Sequence, residues 1–332
     1  MSYQLNDRIG MKRGTYMRRV LITGMITSLI CVCLILGIDY FQRVYSTQLK
    51  IGTTYMTLNN NFYKTINDEI KKQAVIHQGI VLTRDPALSA SRQVTQIHEL
   101  IEEGVNVLII NPVDGHNKKI QQAMAYAKNH DVRTIVIDTP LSDSRYVDTT
   151  IVSNNYQAGV LCAKNMMKNQ SSAKIFLLEH KQALSAVDRI RGFTDTIKGH
   201  KHYRIVGRRN CLGQTDLAMA ETQKFLKKKI AFNTLMSLND PATLGALAAF
   251  EERHLQHIAI YSVDGSPELK KIMSDMSVIQ TIAAQSPLTM AKRAFACALQ
   301  LYHHQHVKAE IVIPVTAITQ HNINNQELTG WS

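Results

Sequence analysis

The sequence predicts an α/β protein with two lobes, each built on a doubly wound parallel β-sheet. Short apolar runs rich in β-branched residues alternate along the chain with amphipathic segments, which is the pattern of βαβ units. The chain has 332 residues, of which 45% are hydrophobic and 19% charged, so it is long enough for two cores and is not of disordered composition. The candidate strands are too many for one twisted sheet and divide naturally between two.

An apolar run precedes the lobes and is predicted to span a membrane. Val20–Ile38 carries no charged residue and is flanked by charged residues on both sides. As a helix it extends about 28 Å, close to the roughly 30 Å of a bilayer's hydrocarbon core. Basic side chains outnumber the single acid, Asp7, in residues 1–19, which places this leader in the cytoplasm. We therefore expect a single-pass anchor in the cell membrane at 20–38, a linker at 39–48, and every later residue outside the cytoplasm.

A cleaved signal peptide and a lipid anchor are the alternatives to a permanent anchor. The apolar core of a signal peptide is about 7–15 residues long and ends at a small-residue cleavage site. This run is longer, and no such site follows it. Cys31 and Cys33 lie within the run, but larger residues, Ile30 and Val32, stand where a lipoprotein site has a small one.

Beyond the anchor, predicted strands and helices alternate in order. The strands are Lys50–Thr53, Gly79–Thr83, Val105–Ile110, Thr134–Ile137, Thr150–Val152, Lys174–Leu178, Arg204–Val206, Thr234–Ser237, Ile258–Tyr261 and Val278–Ile282. The helices between them include Asn61–Ala74, Arg92–Glu102, Asn117–His130, Tyr156–Met167, Leu217–Lys228 and Pro241–Glu252.

Polar and aromatic residues recur where these strands end. Ligands of open α/β sheets bind beyond the carboxyl ends of the strands, which for two facing lobes is the cleft between them. Carboxylates and carboxamides hydrogen-bond to hydroxyl groups, so these residues are typical of a site for a polyhydroxylated ligand. Asn59 and Asp240 are equally well interpreted as caps of the helices that follow them. For Asp138 and Asp264 the ligand interpretation is favoured.

The motifs that carry these residues resemble those of the periplasmic sugar-binding protein family of the ribose and galactose type. In order they are LNNNFY (58–63), GVNVLIINPVD (104–114), TIVID (134–138), RIRGF (189–193), LNDPATLGAL (238–247), VDGSP (263–267) and QTIAAQSPLTMA (280–291). The resemblance implies the two-lobed, type I periplasmic-binding-protein fold. It places the first lobe at 49–153 plus 286–312 and the second at 154–284 plus 313–325.

The resemblance also implies a set of ligand-binding residues. They are Asn60, Phe62 and Tyr63 of the first loop, Asp138 after the fourth strand, Arg189 at the R-x-x-G-F motif, Asn239 and Asp264 of the second lobe, and Gln285 near a hinge. Three positions depart from the family pattern: Thr139 replaces an arginine, Val263 replaces an aromatic residue, and a further aromatic position falls near Gly213. A standard fit to a pyranose ring is therefore not implied.

Several other functions are weighed against the sequence. Two carboxylates suffice for a glycosidase, and Asp138, Asp264 and Glu179 are candidates, but the family uses such carboxylates to hold hydroxyl groups, so no enzyme activity is predicted. His303, His304 and His306 are spaced like metal ligands but have no acidic or cysteine neighbour, so no metal and no cofactor is predicted. The same lobes occur in DNA-binding repressors, which carry a helix-turn-helix where this chain has its apolar run, so no nucleic-acid partner is expected.

Charge and cysteine content add little to the assignment. The formal net charge is +12, which is interpreted as a basic surface that faces anionic lipid or cell wall. Outside the apolar run, Cys162, Cys211 and Cys297 are far apart and odd in number, so no disulfide framework is predicted.

Two roles are compatible with a sugar-binding module on a membrane anchor. The first is the solute-binding component of an ABC sugar importer, which would hand a monosaccharide or similar small polyol to a permease. The second is a sensor subunit that reports the sugar to a membrane histidine kinase. The short linker favours a stationary complex, whereas the family favours transport.

Overall fold

The computed structural model describes residues 22–38 and 48–331. The chain divides into two units, Met1–Gln48 and Leu49–Ser332, and both β-sheets belong to the second unit. Within the described residues each sheet has six strands, which confirms the prediction of a two-lobed α/β fold with parallel sheets.

The first sheet is parallel throughout, in the order β11-β5-β4-β3-β1-β2. Its inner strands are buried on both faces, and β3 is completely buried, as expected for a sheet covered by helices on both sides. Its strands are β1 (Lys50–Thr54), β2 (Ile80–Arg84), β3 (Val107–Ile110), β4 (Arg133–Ile137), β5 (Thr149–Ser153) and β11 (Glu310–Ile313).

The second sheet has the order β12-β10-β9-β8-β6-β7, and only its edge strand β12 is antiparallel to its neighbour in the described chain. Its strands are β6 (Ala173–Glu179), β7 (Tyr203–Asn210), β8 (Thr234–Ser237), β9 (Ala259–Asp264), β10 (Ile279–Ala284) and β12 (Thr316–Thr319). The sequence did not predict β11 and β12, which are four residues each and lie on either side of Pro314.

The helices follow the strands as the amphipathic pattern predicts. Helix α1 covers residues 22–38. The others are α2 (Asn61–Ile76), α3 (Ala90–Glu102), α4 (Lys118–Asn129), α5 (Asn155–Asn169), α6 (Leu184–Ile197), α7 (Thr215–Leu226), α8 (Asp240–Glu251), α9 (Pro267–Asp275), α10 (Pro287–Tyr302) and the 3₁₀-helix η1 (Ile323–Asn325).

The chain passes between the two sheets after β5, after β10 and after β11. As a result α5 packs on β9 and β10 of the second sheet, whereas α10 returns to pack on α2 and β4 of the first. The exact lobe boundaries predicted above remain a prediction.

The packing of α5 against α6 is unusually close and positions a residue of the site. A Cβ atom added at Gly159 of α5 would overlap the carbonyl oxygen of Arg189, and one added at Gly192 of α6 would overlap that of Tyr156. Glycine at both positions therefore allows the two backbones to touch, and this contact fixes the part of α6 that carries Arg189.

The predicted membrane anchor is not found in the described chain. Over residues 22–38 and 48–331, no helix combines the length and hydropathy needed to cross a membrane. The predicted leader at 1–19, the first two residues of the predicted span and linker residues 39–47 lie outside the described residues.

Candidate functional site

The eight predicted ligand-binding residues line one cleft between the two sheets. The cleft lies at the carboxyl ends of the parallel strands, and its cavity volume is about 30 Å³. Its walls include Asn60, Phe62, Tyr63 and Asp138 from the side of the first sheet and Arg189, Asn239 and Asp264 from the side of the second, with Gln285 directly after β10. Whether these residues bind a ligand remains a prediction.

Arg189 joins the two walls of the cleft. It lies on α6 with 4% of its surface exposed. Its Nε donates to Oδ1 of Asn155 at 2.8 Å, and its Nη1 donates to the carbonyl oxygen of Leu238 at 3.0 Å. The guanidinium also forms ion pairs with Asp264, at 3.3 Å, and with Asp138 of the opposite wall, at 3.6 Å. The carbonyl oxygen of Leu238 and the carboxamide of Asn155 orient the guanidinium, so that it faces the two carboxylates.

The two carboxylate oxygens of Asp138 differ in their hydrogen bonds: Oδ2 accepts three, and Oδ1 accepts none in the described residues. Its Oδ2 accepts from the hydroxyls of Tyr63, at 3.0 Å, and Thr139, at 3.2 Å, and from Nδ2 of Asn111, at 3.4 Å. Its Oδ1 has no hydrogen-bond partner in the described residues, with only the longer ion-pair contact to Arg189. Burial raises the pKa of Asp138, although Arg189 and the donors oppose this shift. The open oxygen can accept a hydrogen bond from a ligand hydroxyl.

Asp264 ends β9 on the opposite wall. Nε2 of Gln285 donates to its Oδ1 at 2.6 Å, and the backbone N–H of Asp240 donates to its Oδ2 at 3.4 Å. Burial raises the pKa of Asp264 to about 8; Arg189 opposes the shift, and the carboxylates of Asp240 and Asp138 add to it. Oε1 of Gln285 has no hydrogen-bond partner in the described chain, so this wall also presents an open acceptor.

The two asparagines of the predicted site cap helices. Oδ1 of Asn60 accepts from the backbone N–H of Phe62 at 2.9 Å, at the start of α2. Oδ1 of Asn239 accepts from the N–H of Ala242 at 3.0 Å, at the start of α8, and its Nδ2 donates to the carbonyl oxygen of Gly213. Both therefore have a structural role at the edge of the cleft.

Asn59 and Asp240, which the sequence offered as possible helix caps, each lie one residue away from the actual cap. The caps are Asn60 and Asn239. The Asp240 carboxylate instead accepts from Ser262 and from the N–H groups of Gly265 and Ser266, so it fixes the loop that follows β9. Asp264 directly precedes this loop, so the loop contacts hold it at the end of β9.

Two aromatic rings line the cleft on the side of the first sheet. Phe62 is 3% exposed, and its ring meets that of Tyr63 edge to face, with centroids 5.6 Å apart. Burial and the neighbouring Asp138 raise the pKa of Tyr63, so its hydroxyl stays protonated and donates to that carboxylate. An aromatic face beside hydrogen-bond acceptors is suited to the C–H face and the hydroxyls of a sugar ring.

Sequence reasoning missed several residues of the cleft. His180 follows β6, lines the cleft and is buried, which lowers its pKa to about 4 and keeps the imidazole neutral. Ser185, on the first turn of α6, forms a 2.8 Å hydrogen bond with Thr139 across the cleft. His180 lies near the end of a predicted strand, and this position was a signal that could have identified it from the sequence. The contacts of Asn155 and Trp331 with site residues had no sequence signal, because they join distant parts of the chain.

The histidine cluster at the end of α10 has no role in this cleft. His303, His304 and His306 lie at or beyond the last turn of the helix and are exposed. Over residues 22–38 and 48–331, no group of three or more histidine, cysteine, aspartate or glutamate side chains is arranged to hold a metal ion.

Comparison with known proteins identifies relatives across most of the two-lobed unit. The model of the periplasmic binding protein domain family matches residues 51–305. The ribose import binding protein of Bacillus subtilis (strain 168) is 26% identical over 275 residues, which are 82% of this chain and 88% of that protein. The ribose import binding protein of Escherichia coli (strain K12) is 22% identical over 272 residues, covering 81% and 90% of the two chains. The resemblance drawn from the sequence motifs is thereby confirmed.

Solved structures show the same fold. An ABC transporter solute-binding protein from Mycobacterium smegmatis with bound glycerol has a TM-score of 0.81 at 22% identity, covering 86% of this chain and all of that one (100%). One from Bacillus halodurans C-125 with bound myo-inositol has a TM-score of 0.77 at 17% identity, covering 84% and 96% of the two chains. At these identities the likeness is one of fold.

Proposed function

This chain belongs to the periplasmic binding protein domain family, and we propose that it binds a monosaccharide or similar small polyol in the cleft between its lobes. The observation that carries the proposal is the convergence of Asp138, Arg189 and Asp264 from both walls beside the buried ring of Phe62. Among the described residues, Oδ1 of Asp138 and Oε1 of Gln285 have no hydrogen-bond partner. These two oxygens accept hydrogen bonds from ligand hydroxyls, and Phe62 packs against the C–H face of the ring.

Binding is reversible in this proposal, and no bond is broken. The carboxylates hold hydroxyl groups, and closure of the lobes removes the ligand from water. Thr139 carries no charge where the resemblance implies an arginine, so Arg189 is the cation that holds the ligand. The identity of the ligand then depends on how its hydroxyls match the acceptors of the two walls.

We also propose that the chain is the solute-binding component of an ABC sugar importer and that the lobes lie outside the cytoplasm. This is supported by its similarity to ribose import binding proteins and by its structural likeness to ABC transporter solute-binding proteins. Its partners are then a sugar and an ABC permease. The alternative partner, a sensor histidine kinase, is not favoured by these relatives. Attachment through the apolar run at 20–38 remains a prediction from the sequence.

The test of sugar binding is calorimetry on the purified full-length chain with ribose, D-allose, L-arabinose, D-fucose, D-apiose and myo-inositol. We expect at least one to bind, and Asp264→Ala to weaken that binding by about 2 kcal/mol or more, because Arg189 and Gln285 lose the buried acceptor that positions them in the site. Asp275→Ala is the matched control, since this carboxylate is 58% exposed and forms surface contacts with Lys271 and Ser274. Equal affinity of Asp264→Ala and the unmodified chain would contradict the assigned site.

The test of the importer role is the recovery of partners with the full-length chain from detergent-solubilised membranes. We expect a permease and its ATPase. A stable, sugar-dependent association with a histidine kinase in their place would contradict the importer proposal while leaving sugar binding intact.

A further inference from the structure

The last residues of the chain reach across the cleft from the second lobe to the first. After β12 the chain forms η1 against α9 and then continues to Trp331. The Trp331 ring meets the ring of Phe62 edge to face, with centroids 5.5 Å apart and an angle of 77° between the planes. Phe62 begins α2 on the first lobe, so this contact joins the two lobes at the rim of the proposed sugar site.

A buried lysine holds this tail, defined as residues 326–331, in place. Lys270 of α9 is 1% exposed, and its Nζ donates to the carbonyl oxygens of Glu327, at 2.5 Å, and Gly330, at 2.7 Å. Desolvation lowers the pKa of Lys270, whereas the carboxylates of Glu327 and Asp240 raise it. A buried ammonium group requires its acceptors, so the two tail carbonyls are fixed on α9 immediately before Trp331.

Phe62 is consequently held on two sides. The Tyr63 ring contacts it at 5.6 Å and 86°, and the Trp331 ring contacts it at 5.5 Å and 77°. A second contact between the lobes lies beside it, where Nδ2 of Asn61 donates to Oε1 of Glu268 at 3.1 Å. A second pocket adjoins the proposed sugar site, and its lining includes Asn60, Phe62, Asp264 and Trp331. The first three of these residues also line the sugar site.

We propose that Trp331 is a positioning residue of the sugar site. It fixes the ring of Phe62 against the ligand and stabilises the closed arrangement of the lobes, so it slows ligand release. This inference rests on the proposed function. Opening the cleft must break the contact between Phe62 and Trp331, because the tail moves with α9 of the second lobe whereas Phe62 moves with the first.

The chain contains one tryptophan, which makes the contact directly measurable. We expect the fluorescence of Trp331 to change when the purified full-length chain is saturated with the best sugar found by calorimetry. We expect Trp331→Ala to raise the dissociation rate roughly two- to tenfold, the range of an aromatic pair, while the association rate changes less. Trp331→Phe keeps a ring at this position and should recover most of the lost affinity.

Lys270→Met is the second variant, because it removes the anchor of the tail and leaves Trp331 in the sequence. It should raise the dissociation rate in the same direction as Trp331→Ala. The matched control is Lys271→Met on the same helix, whose side chain is 64% exposed and pairs with Asp275. Circular dichroism establishes that each variant is folded.

The outcomes separate this inference from the proposed function. If no sugar or polyol binds to the unmodified chain, the proposed function is wrong. If a sugar binds, and Trp331→Ala dissociates at the unmodified rate with no change of Trp331 fluorescence on binding, the positioning role is wrong and the sugar site stands.

Discussion

At the residue scale, the cleft depends on one guanidinium between two carboxylates. Arg189 is 4% exposed, and the carboxylates of Asp138 and Asp264 are 2% and 3% exposed. Each carboxylate is stabilised by the same cation, so removal of Arg189 leaves two buried acids without their counter-charge. Burial raises the pKa of both acids, and the positive charge of Arg189 opposes this rise.

Arg189→Met should therefore lower the free energy of unfolding by about 3 kcal/mol, because it breaks a buried ion pair and leaves one side of it in the interior. Urea unfolding measures this change. Arg191→Met on the same helix is the control: Arg191 is 59% exposed and pairs with Asp188, so its loss should cost less than about 1 kcal/mol. Similar losses for the two variants would show that the Arg189 pairs do not stabilise the fold.

The pH dependence of stability follows from Asp264. Its pKa is raised from its ordinary value of 3.8 to about 8 in the folded chain, so between these values the folded state binds more protons than the unfolded state. The contribution of this group is fully present below about pH 4 and is lost as the pH rises toward 8. We expect Asp264→Asn, whose side chain does not ionise, to lose less stability than the unmodified chain between pH 4 and 8. Thermal unfolding across that range measures the difference, and two parallel profiles would contradict the assignment.

At the element scale, the contact between α5 and α6 determines where Arg189 lies. Asn155 begins α5 and accepts from Nε of Arg189 at 2.8 Å. Gly159, one turn later, lies against the carbonyl of Arg189, and Gly192 lies against that of Tyr156. The two helices therefore approach through backbone atoms, and any added side-chain atom must separate them.

Gly192→Ala should lower the free energy of unfolding by about 1–3 kcal/mol, as other overpacked interiors do. Because separation of the helices displaces Arg189, the same variant should also weaken ligand binding measured by calorimetry. Lys164→Ala, an exposed change on α5, is the control and should alter stability by less than about 0.5 kcal/mol. Unchanged affinity in a destabilised Gly192→Ala variant would show that the helix contact does not position Arg189.

At the scale of the whole molecule, the cleft is closed by contacts that join the two lobes. Arg189 reaches Asp138, Ser185 reaches Thr139, and the N–H of Gly115 donates to the carbonyl oxygen of Gln182 at 3.2 Å. A ligand that bridges both walls adds to these contacts and couples the lobes.

A bound sugar should therefore stabilise both lobes together. At about 100 times its dissociation constant it should raise the free energy of unfolding by about 2.7 kcal/mol. Far-ultraviolet circular dichroism and Trp331 fluorescence should shift to the same higher urea concentration, since ligand contacts come from both walls. Sucrose at the same concentration, if calorimetry finds that it does not bind, is the control. A shift seen by only one probe would show that the ligand is held by a single lobe.

The sequence by itself determined the alternation of strands and helices and the polar residues that follow the strands. Periodicity and burial of short apolar runs are local properties, so all ten predicted strands are present within a few residues of their expected bounds. Asp138 and Asp264 were identified because each directly follows or ends such a run. The position of a residue at the carboxyl end of a parallel strand is enough to bring it to the common edge of its sheet.

Only the tertiary structure decided how these residues are used. It made Asn60 and Asn239 the helix caps in place of Asn59 and Asp240, and it added β11 and β12 as sheet edges. It also left Oδ1 of Asp138 without a hydrogen-bond partner in the part of the chain that is described. It also brought Trp331 onto Phe62, and Asn155 onto Arg189. The reason is physical: these features depend on contacts between residues far apart in the chain, and such contacts leave no local pattern in the sequence of either partner.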